Sequence, residues 1–304
     1  MIAAPVHEVL TLGLEEAGYE LLHHEKITQA QGLQLIKDCV GVITSTRLQL
    51  NRELIDAAPM LLFIGRMGSG MEVIDVPYAS SKGIRCIGSP EGNCNAVAEH
   101  ALGMLLSLNK NILKSHNEIK EGKWLRDENR GTELEGKTIG IIGYGHTGAA
   151  FARLLRGFDV RILVYDKYKV ISPEPHIIVC ATTDQLLKEA DIISLHVPFQ
   201  EDTFHLIDKE FIEQMRKPFV LINTSRGTVV DSSVMKLFLA SGKITGLALD
   251  VWEEEPLEKM TDKYRLILND LMTSEHTLIT AHIAGYSHEA LFKMSLLLLE
   301  RITK

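Results

Sequence analysis

The sequence predicts a two-domain α/β protein in which both domains are built on doubly wound parallel sheets. Three observations lead there. From Lys137 onward, short β-branched runs alternate with amphipathic helical segments. Those runs show little polar–apolar alternation, the mark of strands covered on both faces and therefore parallel, with helices as crossovers. The first ninety residues repeat the alternation on a smaller scale, and a chain of 304 residues is long enough to bury two cores.

In chain order, MIAAP allows only a short opening strand. VHEVLTLGLEEAG and TQAQGLQLIKDC read as helices, and GVITS, LLFIG and IRCIG as strands. The cluster SPEGNCN (89–95) reads as a boundary loop. AVAEHALGMLLSLNKNILKSHNEIK then reads as one long helix, apolar on more than one face, suited to a core, a subunit interface or both. The strand runs of the second domain are TIGII (138–142), RILVY (161–165), DIISLH (191–196), FVLIN (219–223), ITGLAL (244–249) and TLIT (277–280). GAAFARLLRG, TDQLLKEA and DSSVMKLFLASG supply helices between them. The closing helix, SHEALFKMSLLLLERITK, is too short for a domain of its own and is expected to return to the first one. The expected division is 1–94 plus 286–304 for a discontinuous smaller domain and 95–285 for the larger, with the ligand in the cleft between them.

Composition narrows the function. Hydrophobic residues make up 45% and charged residues 24%, the balance of a soluble globular protein. A formal charge of −8 disfavours nucleic acid or an anionic membrane as partner, so an anionic substrate must be drawn by locally placed Arg or Lys. Cys39, Cys86, Cys94 and Cys180 form no CxxC pair and no metal-ligand spacing, which fits reduced thiols in a cytoplasm; Cys94, in the loop-like stretch, is the one candidate for reactivity. No signal peptide opens the sequence and no run reaches bilayer-spanning length. No metal is expected.

The clearest motif is GKTIGIIGYGHTGAAFARLL. Gly143, Gly145 and Gly148 form GxGxxG after a strand and at the start of a helix: one glycine for a tight turn, one for close approach of a pyrophosphate, one for helix–strand packing. Helix-start N–H groups then receive phosphates. Asp166 ends the next strand, about twenty residues on, where a carboxylate accepts from an adenosine ribose and repels a 2′-phosphate. NAD is favoured over NADP, although Lys167 and Lys169 lie close by. His146, inside the loop, reads as a packing or phosphate-adjacent residue.

Further along, reactive types stand at strand ends. INTSRGTVVD carries Arg226 at a glycine turn, LALDVWEEEP carries Asp250 and Glu255, and ITAHIAG carries His282. A guanidinium pairs with a carboxylate bidentately. An imidazole exchanges a proton near neutrality, and a carboxylate beside it favours and orients the imidazolium. In a parallel sheet these ends share one edge with the glycine loop. Singly, each has a plainer reading: a surface ion pair, a solvated acidic loop over Glu253–Glu255, a structural histidine. His196, also at a strand end, reads as structural. No GxSxG elbow or HExxH motif points to a hydrolase.

GYGHTG, HVPFQEDT, NTSRGTVVD, ALDVWEEEP and TAHIAG follow one another as in the D-isomer-specific 2-hydroxyacid dehydrogenases, which this sequence resembles over most of its length, IGRMGSGMEVID and EGNCNAVAEHALGMLL included. It is most similar to short phosphoglycerate dehydrogenases. The resemblance implies a Rossmann cofactor domain inserted in a smaller flavodoxin-like substrate domain, NAD as cofactor, a small anionic 2-hydroxy or 2-keto acid as substrate, a step towards serine, and a homodimer or higher homo-oligomer through the 95–120 region. It implies that Arg226 anchors the substrate carboxylate, that His282 is the acid/base and that Glu255 pairs with it. It implies cofactor contacts from Ser69, His146, Thr147, Asp166, Val197, Thr224, Ser225, Asp250 and Gly285 beside the three loop glycines. The loop from Arg66 to Gly70, with Gly68, is expected to meet the substrate carboxylate. Two departures are Ala281, where the family usually has proline, and His146, where Arg or Asn is common. Arg47, in ITSTRLQL, and Arg66 are candidates for a substrate phosphate, and Arg47 reads equally well as a solvated charge. Reduction of glyoxylate, hydroxypyruvate or another 2-keto acid is the alternative reaction. An NAD-sensing, corepressor-like binding protein is the alternative of another class, disfavoured by the acidic charge and the lack of low-complexity segments.

Overall fold

In the computed structural model, which describes residues 1–304, the chain divides into one unit of Met1–Ala96 with Tyr286–Lys304 and another of Val97–Gly285. The first begins with β1 (Ile2–Ala3), α1 (Glu8–Glu16), α2 (Gln29–Leu35), β2 (Gly41–Thr44), α3 (Arg52–Asp56), β3 (Phe63–Arg66), α4 (Val76–Ser81), β4 (Arg85–Gly88) and the first turns of α5 (Pro90–Asn109). Its strands pair in parallel in the order β1-β2-β3-β4. A further segment, which the sequence reading left unassigned, extends the sheet beyond β1. Ile2 N donates to Leu22 O at 2.7 Å and His24 N to Ile2 O at 2.8 Å, a parallel bridge centred on His23. With this segment counted second in the chain, the order becomes 2-1-3-4-5, that of flavodoxin-like sheets.

Helix starts in this unit carry the expected caps. Asn51 and Asp75 each accept from a first-turn N–H, and Thr28 forms a capping box with Gln31, which satisfies donors that the helix leaves open. One face of the sheet packs Leu10 and Leu14 of α1 against Ile43, Phe63, Leu298 and Ile302, and the other buries Ile36, Leu48, Leu54 and Ile64. Both faces are thus covered, as the unalternating strand runs require.

The second unit takes the rest of α5, α6 (Ile112–Lys120), β5 (Thr138–Ile142), α7 (His146–Leu154), β6 (Arg161–Tyr165), β7 (Ile178–Val179), α8 (Asp184–Glu189), β8 (Ile192–Leu195), α9 (Lys209–Gln214), β9 (Phe219–Asn223), α10 (Ser232–Ala240), β10 (Ile244–Leu249), α11 (Asp262–Met272) and β11 (Thr277–Ile279). The chain then returns to the first unit as α12 (His288–Thr303). All seven strands are parallel, in the order β7-β6-β5-β8-β9-β10-β11. The direction of winding reverses between β5 and β8, the switch point outside which such sheets bind ligands. Register decides what gathers there. Ile142 aligns with Tyr165 and Leu195, Leu195 with Asn223, Asn223 with Leu249, and Leu249 with Ile279. The residues just beyond these, Gly143, Asp166, His196, Thr224, Asp250 and Thr280, therefore share one edge.

Three expectations need correction. SPEGNCN is not a loop: α5 starts at Pro90, where proline's fixed φ and missing N–H suit a first helical turn. The first unit accordingly runs into that helix, as far as Ala96. Cys94 lies on the helix, partly buried, with its thiol donating to Glu91 O at 3.1 Å, so it is no exposed loop thiol. The long helical run of 96–120 is two helices. Asn111 between them adopts a left-handed φ of 52°, which asparagine tolerates better than most residues, and this ends α5 and starts α6.

Candidate active site

The glycine loop behaves as its spacing requires. Gly143 has φ 91°, and a Cβ there would lie 2.4 Å from His196 O. At Gly148 a Cβ would lie 2.1 Å from Gly143 O. Around Gly145 the corresponding space is open. Gly145 also caps α7 without any side-chain hydrogen bond to the helix, whose first residues are His146 and Thr147. Val197 packs over the same turn, its Cγ1 3.0 Å from the position a Cβ on Gly143 would take.

Asp166 sits at the end of β6 and accepts three backbone N–H groups: Tyr144 at 2.8 Å, Tyr168 at 3.0 Å and Lys169 at 2.9 Å. Burial pushes its pKa up, but the three donors outweigh burial and hold the carboxyl below its usual range. The carboxylate is thus a fixed anion beside the glycine turn. Both neighbouring lysines are engaged elsewhere, Lys167 with Asp202 at 2.5 Å and Lys169 with Tyr144 O at 2.9 Å. Neither is poised to receive a 2′-phosphate.

Asn223, the last residue of β9, folds the next turn. Its Oδ1 accepts from Ser225 N at 3.0 Å and from Ser225 Oγ at 2.8 Å, while its Nδ2 donates to Arg226 O at 2.8 Å. Arg226 leaves this turn half-buried, one guanidinium nitrogen donating to Ser225 O at 2.7 Å. Thr224 Oγ1 is buried with no protein partner, and a polar ligand atom would satisfy it. Gly227 has no freedom to be anything larger, because a Cβ would lie 1.9 Å from Trp252 O. The Arg226 turn and the Trp252 loop are therefore in backbone contact.

The run Glu253–Glu255 is not a solvated acidic stretch; its members do three different things. Glu253 is turned inward, with its side chain 4% exposed. Glu254 accepts from Thr261 N at 2.7 Å, just ahead of α11. Glu255 accepts from Trp252 N at 2.6 Å through one oxygen and meets His282 Nδ1 at 2.7 Å through the other. With Nδ1–H donating to a carboxylate, the proton-exchanging atom of the ring is Nε2, and no protein group bonds to it. The hydrogen bond to Glu255 raises the pKa of His282; burial lowers it, the charges of Glu255 and Asp250 raise it further, and the charge of Arg226 opposes them. Arg226, Glu255 and His282 thus lie within electrostatic reach of one another.

Asp250, buried at 1% exposure, holds the histidine's backbone. Its Oδ1 accepts from Thr280 Oγ1 at 2.5 Å and Ile283 N at 2.9 Å, its Oδ2 from Ala284 N at 2.8 Å, and its carbonyl from His282 N at 2.8 Å. His282 adopts φ 54° inside that clamp. Thr280, the first residue of TAHIAG, and His100, whose Nε2 lies 3.0 Å from Thr280 Oγ1, support this turn, and residue type alone assigns neither of them a role. Gly285 ends this unit, half-buried. His196 is sealed: burial drives its pKa down to about 3, and its Nε2 bonds Ser194 Oγ at 2.9 Å.

The remaining candidates belong to the other unit. Gly68, with φ 139°, donates its N–H to Ser89 Oγ at 3.3 Å in the loop after β3, where Ser69 is exposed and Gly70 half-buried. Arg66 is 8% exposed, and its guanidinium turns under the loop to donate to Met67 O. Arg47 is exposed beyond the end of β2, the strand paired with β3.

Comparison with known proteins agrees with this geometry. Residues 102–284 match the NAD-binding domain of the D-isomer-specific 2-hydroxyacid dehydrogenases. The chain belongs to that family. Family members are NAD-dependent oxidoreductases, and NAD fits the site: open space at Gly145, an uncapped helix start, a fixed carboxylate at Asp166 and committed lysines beside it. The chain is 33% identical to a D-3-phosphoglycerate dehydrogenase of Methanocaldococcus jannaschii over 100% of its own length, but spans only 56% of that relative. It is 34% identical to a hydroxypyruvate reductase of Thermotoga maritima, over 92% of this chain and 89% of the relative. Among solved structures, the D-lactate dehydrogenase of Aquifex aeolicus complexed with NAD and lactic acid superposes with a TM-score of 0.84 at 28% identity, over 99% of this chain and 93% of that one. No helix of this chain is long and apolar enough to cross a membrane.

Proposed function

We propose that this dehydrogenase interconverts a D-2-hydroxy acid and its 2-keto acid, with His282 as acid/base, Glu255 as its partner and Arg226 as the anchor of the substrate carboxylate. The observation that carries the reading is the 2.7 Å bond between His282 Nδ1 and Glu255, which leaves Nε2 outward and Arg226 close enough to oppose the ring's charge. NAD held at the glycine loop would take up the hydride in oxidation, and its reduced form NADH would provide it in reduction. In oxidation, neutral His282 takes the hydroxyl proton at Nε2 while Glu255 stabilises the imidazolium that forms. In reduction, the imidazolium returns that proton to the carbonyl oxygen. The guanidinium of Arg226 holds the carboxylate bidentately and keeps the reacting carbon in place. Asp250 keeps the His282 turn fixed, so little reorganisation accompanies the proton transfer.

As substrate we propose D-3-phosphoglycerate, a first oxidation on the way to serine. Arg47 supports this, as an exposed guanidinium just past β2 with no protein partner. Hydroxypyruvate or glyoxylate reduction is the second reading, favoured by the hydroxypyruvate reductase relative, which this chain spans over 89% of its length. Self-association belongs to the same proposal: Ile112, Leu113, Ile119 and Trp124, on and beside α6, are exposed at 56%, 44%, 48% and 78%, and large apolar side chains so exposed suit a homodimer contact.

The test is NADH formation or consumption with 3-phosphoglycerate, glycerate, lactate, hydroxypyruvate and glyoxylate, run on the wild type and on Arg47→Ala. The phosphate reading expects Arg47→Ala to raise KM for 3-phosphoglycerate about tenfold or more with kcat little changed, the loss of one charge-assisted contact. An unaltered KM removes Arg47 from the site. No turnover of any 2-hydroxy or 2-keto acid would favour a dinucleotide-sensing role instead.

A further inference from the structure

Glu253 is bonded more heavily than its place in a surface-like acidic run suggests. Its Oε1 accepts from Ser232 N at 2.9 Å and from Ser232 Oγ; its Oε2 accepts from Tyr264 OH at 3.1 Å and meets His205 Nε2 at 2.8 Å. Four donors occupy the roughly four lone-pair sites that a carboxylate has. They come from three places: the segment that follows β8 (His205), the start of α10 (Ser232) and α11 (Tyr264). His205 is held in turn, its N–H donating to Thr228 O at 2.8 Å and its ring stacked on Phe204 with centroids 4.0 Å apart.

His205, Asp231 and Glu253 place their ligand atoms within 4.8 Å of one another, which invites a metal-site reading. The donor count argues against it. Ser232 N–H, Ser232 O–H, Tyr264 O–H and the His205 N–H all direct protons at Glu253, and a cation there would lose its carboxylate lone pairs and meet four positive hydrogens.

What the carboxylate joins is more telling. Ser232 lies six residues after Arg226, and Glu253 two residues before Glu255. Between them Gly227 abuts Trp252 O so closely that no Cβ fits. Glu253 is therefore the buried node where the strand-end turn carrying the substrate anchor meets the loop carrying the partner of His282.

We propose that Glu253 is a positioning residue that fixes Glu255 against His282 and sets their separation from Arg226, with Ser232, Tyr264 and His205 as the donors that hold it. It touches no reacting atom. This inference rests on the reading of His282 and Glu255 as the proton-exchanging pair. The groups facing His282 are Glu255, Asp250 and Arg226; those around Glu253 are His205, Asp231 and Tyr264. Of these, Tyr264 is held protonated, its pKa pushed up to about 12 by burial and by Glu253.

The experiment is the pH profile of kcat/KM for hydroxy-acid oxidation in Glu253→Ala, Glu253→Gln and Tyr264→Phe. Oxidation needs neutral His282, so activity falls as pH falls through its pKa, which the bond to Glu255 holds up. A loosened loop lets that pKa drop. The acid limb of Glu253→Ala is expected to move about one pH unit lower, with kcat reduced at least tenfold. Glu253→Gln, which keeps the acceptor for Ser232, should restore much of both, and Tyr264→Phe should give a smaller shift in the same direction. If Glu253→Ala does not fold, a Ser232→Ala/Tyr264→Phe double variant carries the test with the same expected shift. An unmoved limb, at any level of activity, overturns the proposal, because general destabilisation lowers the amount of active protein without moving a pKa. Loss of wild-type activity on chelation, restored by zinc or magnesium, overturns it in favour of a metal site. His282→Gln is assayed alongside: normal turnover there sinks the dyad reading and the proposal with it, whereas an inactive His282→Gln with an unmoved Glu253→Ala limb sinks the proposal alone.

Discussion

Replacing Glu255 by glutamine keeps the size and one acceptor of the side chain and removes its charge, which makes it the sharpest probe of the reactive pair. The carboxylate meets His282 Nδ1 at 2.7 Å and is itself held by Trp252 N at 2.6 Å. Two unit charges about 4 Å apart attract by about 4 kcal/mol at an effective dielectric of about 20. The His282 side chain is 48% exposed, and solvent screening cuts this to about 1 kcal/mol or less, in the direction that raises the imidazole pKa. The sign follows from the chemistry. The wild-type limb for oxidation should lie above the ordinary imidazole value of about 6.5 and fall back towards it in Glu255→Gln. The rate at the plateau should drop by about 10²–10⁴. Part of that loss comes from the tautomer: an amide N–H turned towards the ring forces the imidazole proton onto Nε2, where it must be absent for base catalysis. The assay is kcat/KM for NADH formation across pH 5 to 9, with NAD affinity measured separately. A limb at its wild-type position, or a plateau within threefold of wild type, would refute the assignment of Glu255 as the partner that raises and orients His282.

Three further outcomes test the rest of the site. His282→Gln should lose about 10²–10⁴ in kcat with the Kd of NADH, read by fluorescence titration, almost unchanged. Gly143→Ala should destabilise the protein by about 2 kcal/mol or more, read as a lower denaturation midpoint, because φ 91° is unfavourable for alanine and a Cβ would contact His196 O at 2.4 Å. Asp166→Ala should weaken NAD binding while affecting NADP less, checked by titrating both. The same variant should lose a pH-dependent stability term. The folded pKa of Asp166 is depressed, so its contribution is full above the unfolded value of about 3.9 and disappears as pH falls through the folded one.

The parts of this molecule visible in its sequence are those where one physical requirement dominates. TIGII, FVLIN and ITGLAL read as covered strands because polar residues stand only at or next to their ends and the rest is apolar without alternation, and β5, β9 and β10 lie there. The two short edge segments were not visible. Ile178 and Val179 of β7 are 39% and 43% exposed, and Leu22–His24 makes a single bridge; each is defined by its neighbour more than by its own pattern. SPEGNCN misled because glycine and asparagine signal loops on average, whereas here Pro90 starts a helix and Gly92 must be small to pass Met294, whose backbone N a Cβ would approach to 2.7 Å. In the site, residue types and strand-end positions pointed to Arg226, Glu255 and His282. Composition gave no way to tell Glu253 from Glu254, since the difference between a buried node and a helix-side acceptor arises only when α10 and α11 are folded alongside.

The left-handed backbone of His282 has a consequence for anyone seeking to harden this protein. A non-glycine residue at φ 54° sits about 1–2 kcal/mol above its preferred conformation, and a search scored on folding alone would put glycine there. A position that the fold holds in an unfavourable conformation is the one where the chemistry is proposed to occur, so durability and turnover pull in opposite directions at this residue. A hardening campaign should hold position 282 and the Asp250 clamp constant and look for its gains elsewhere.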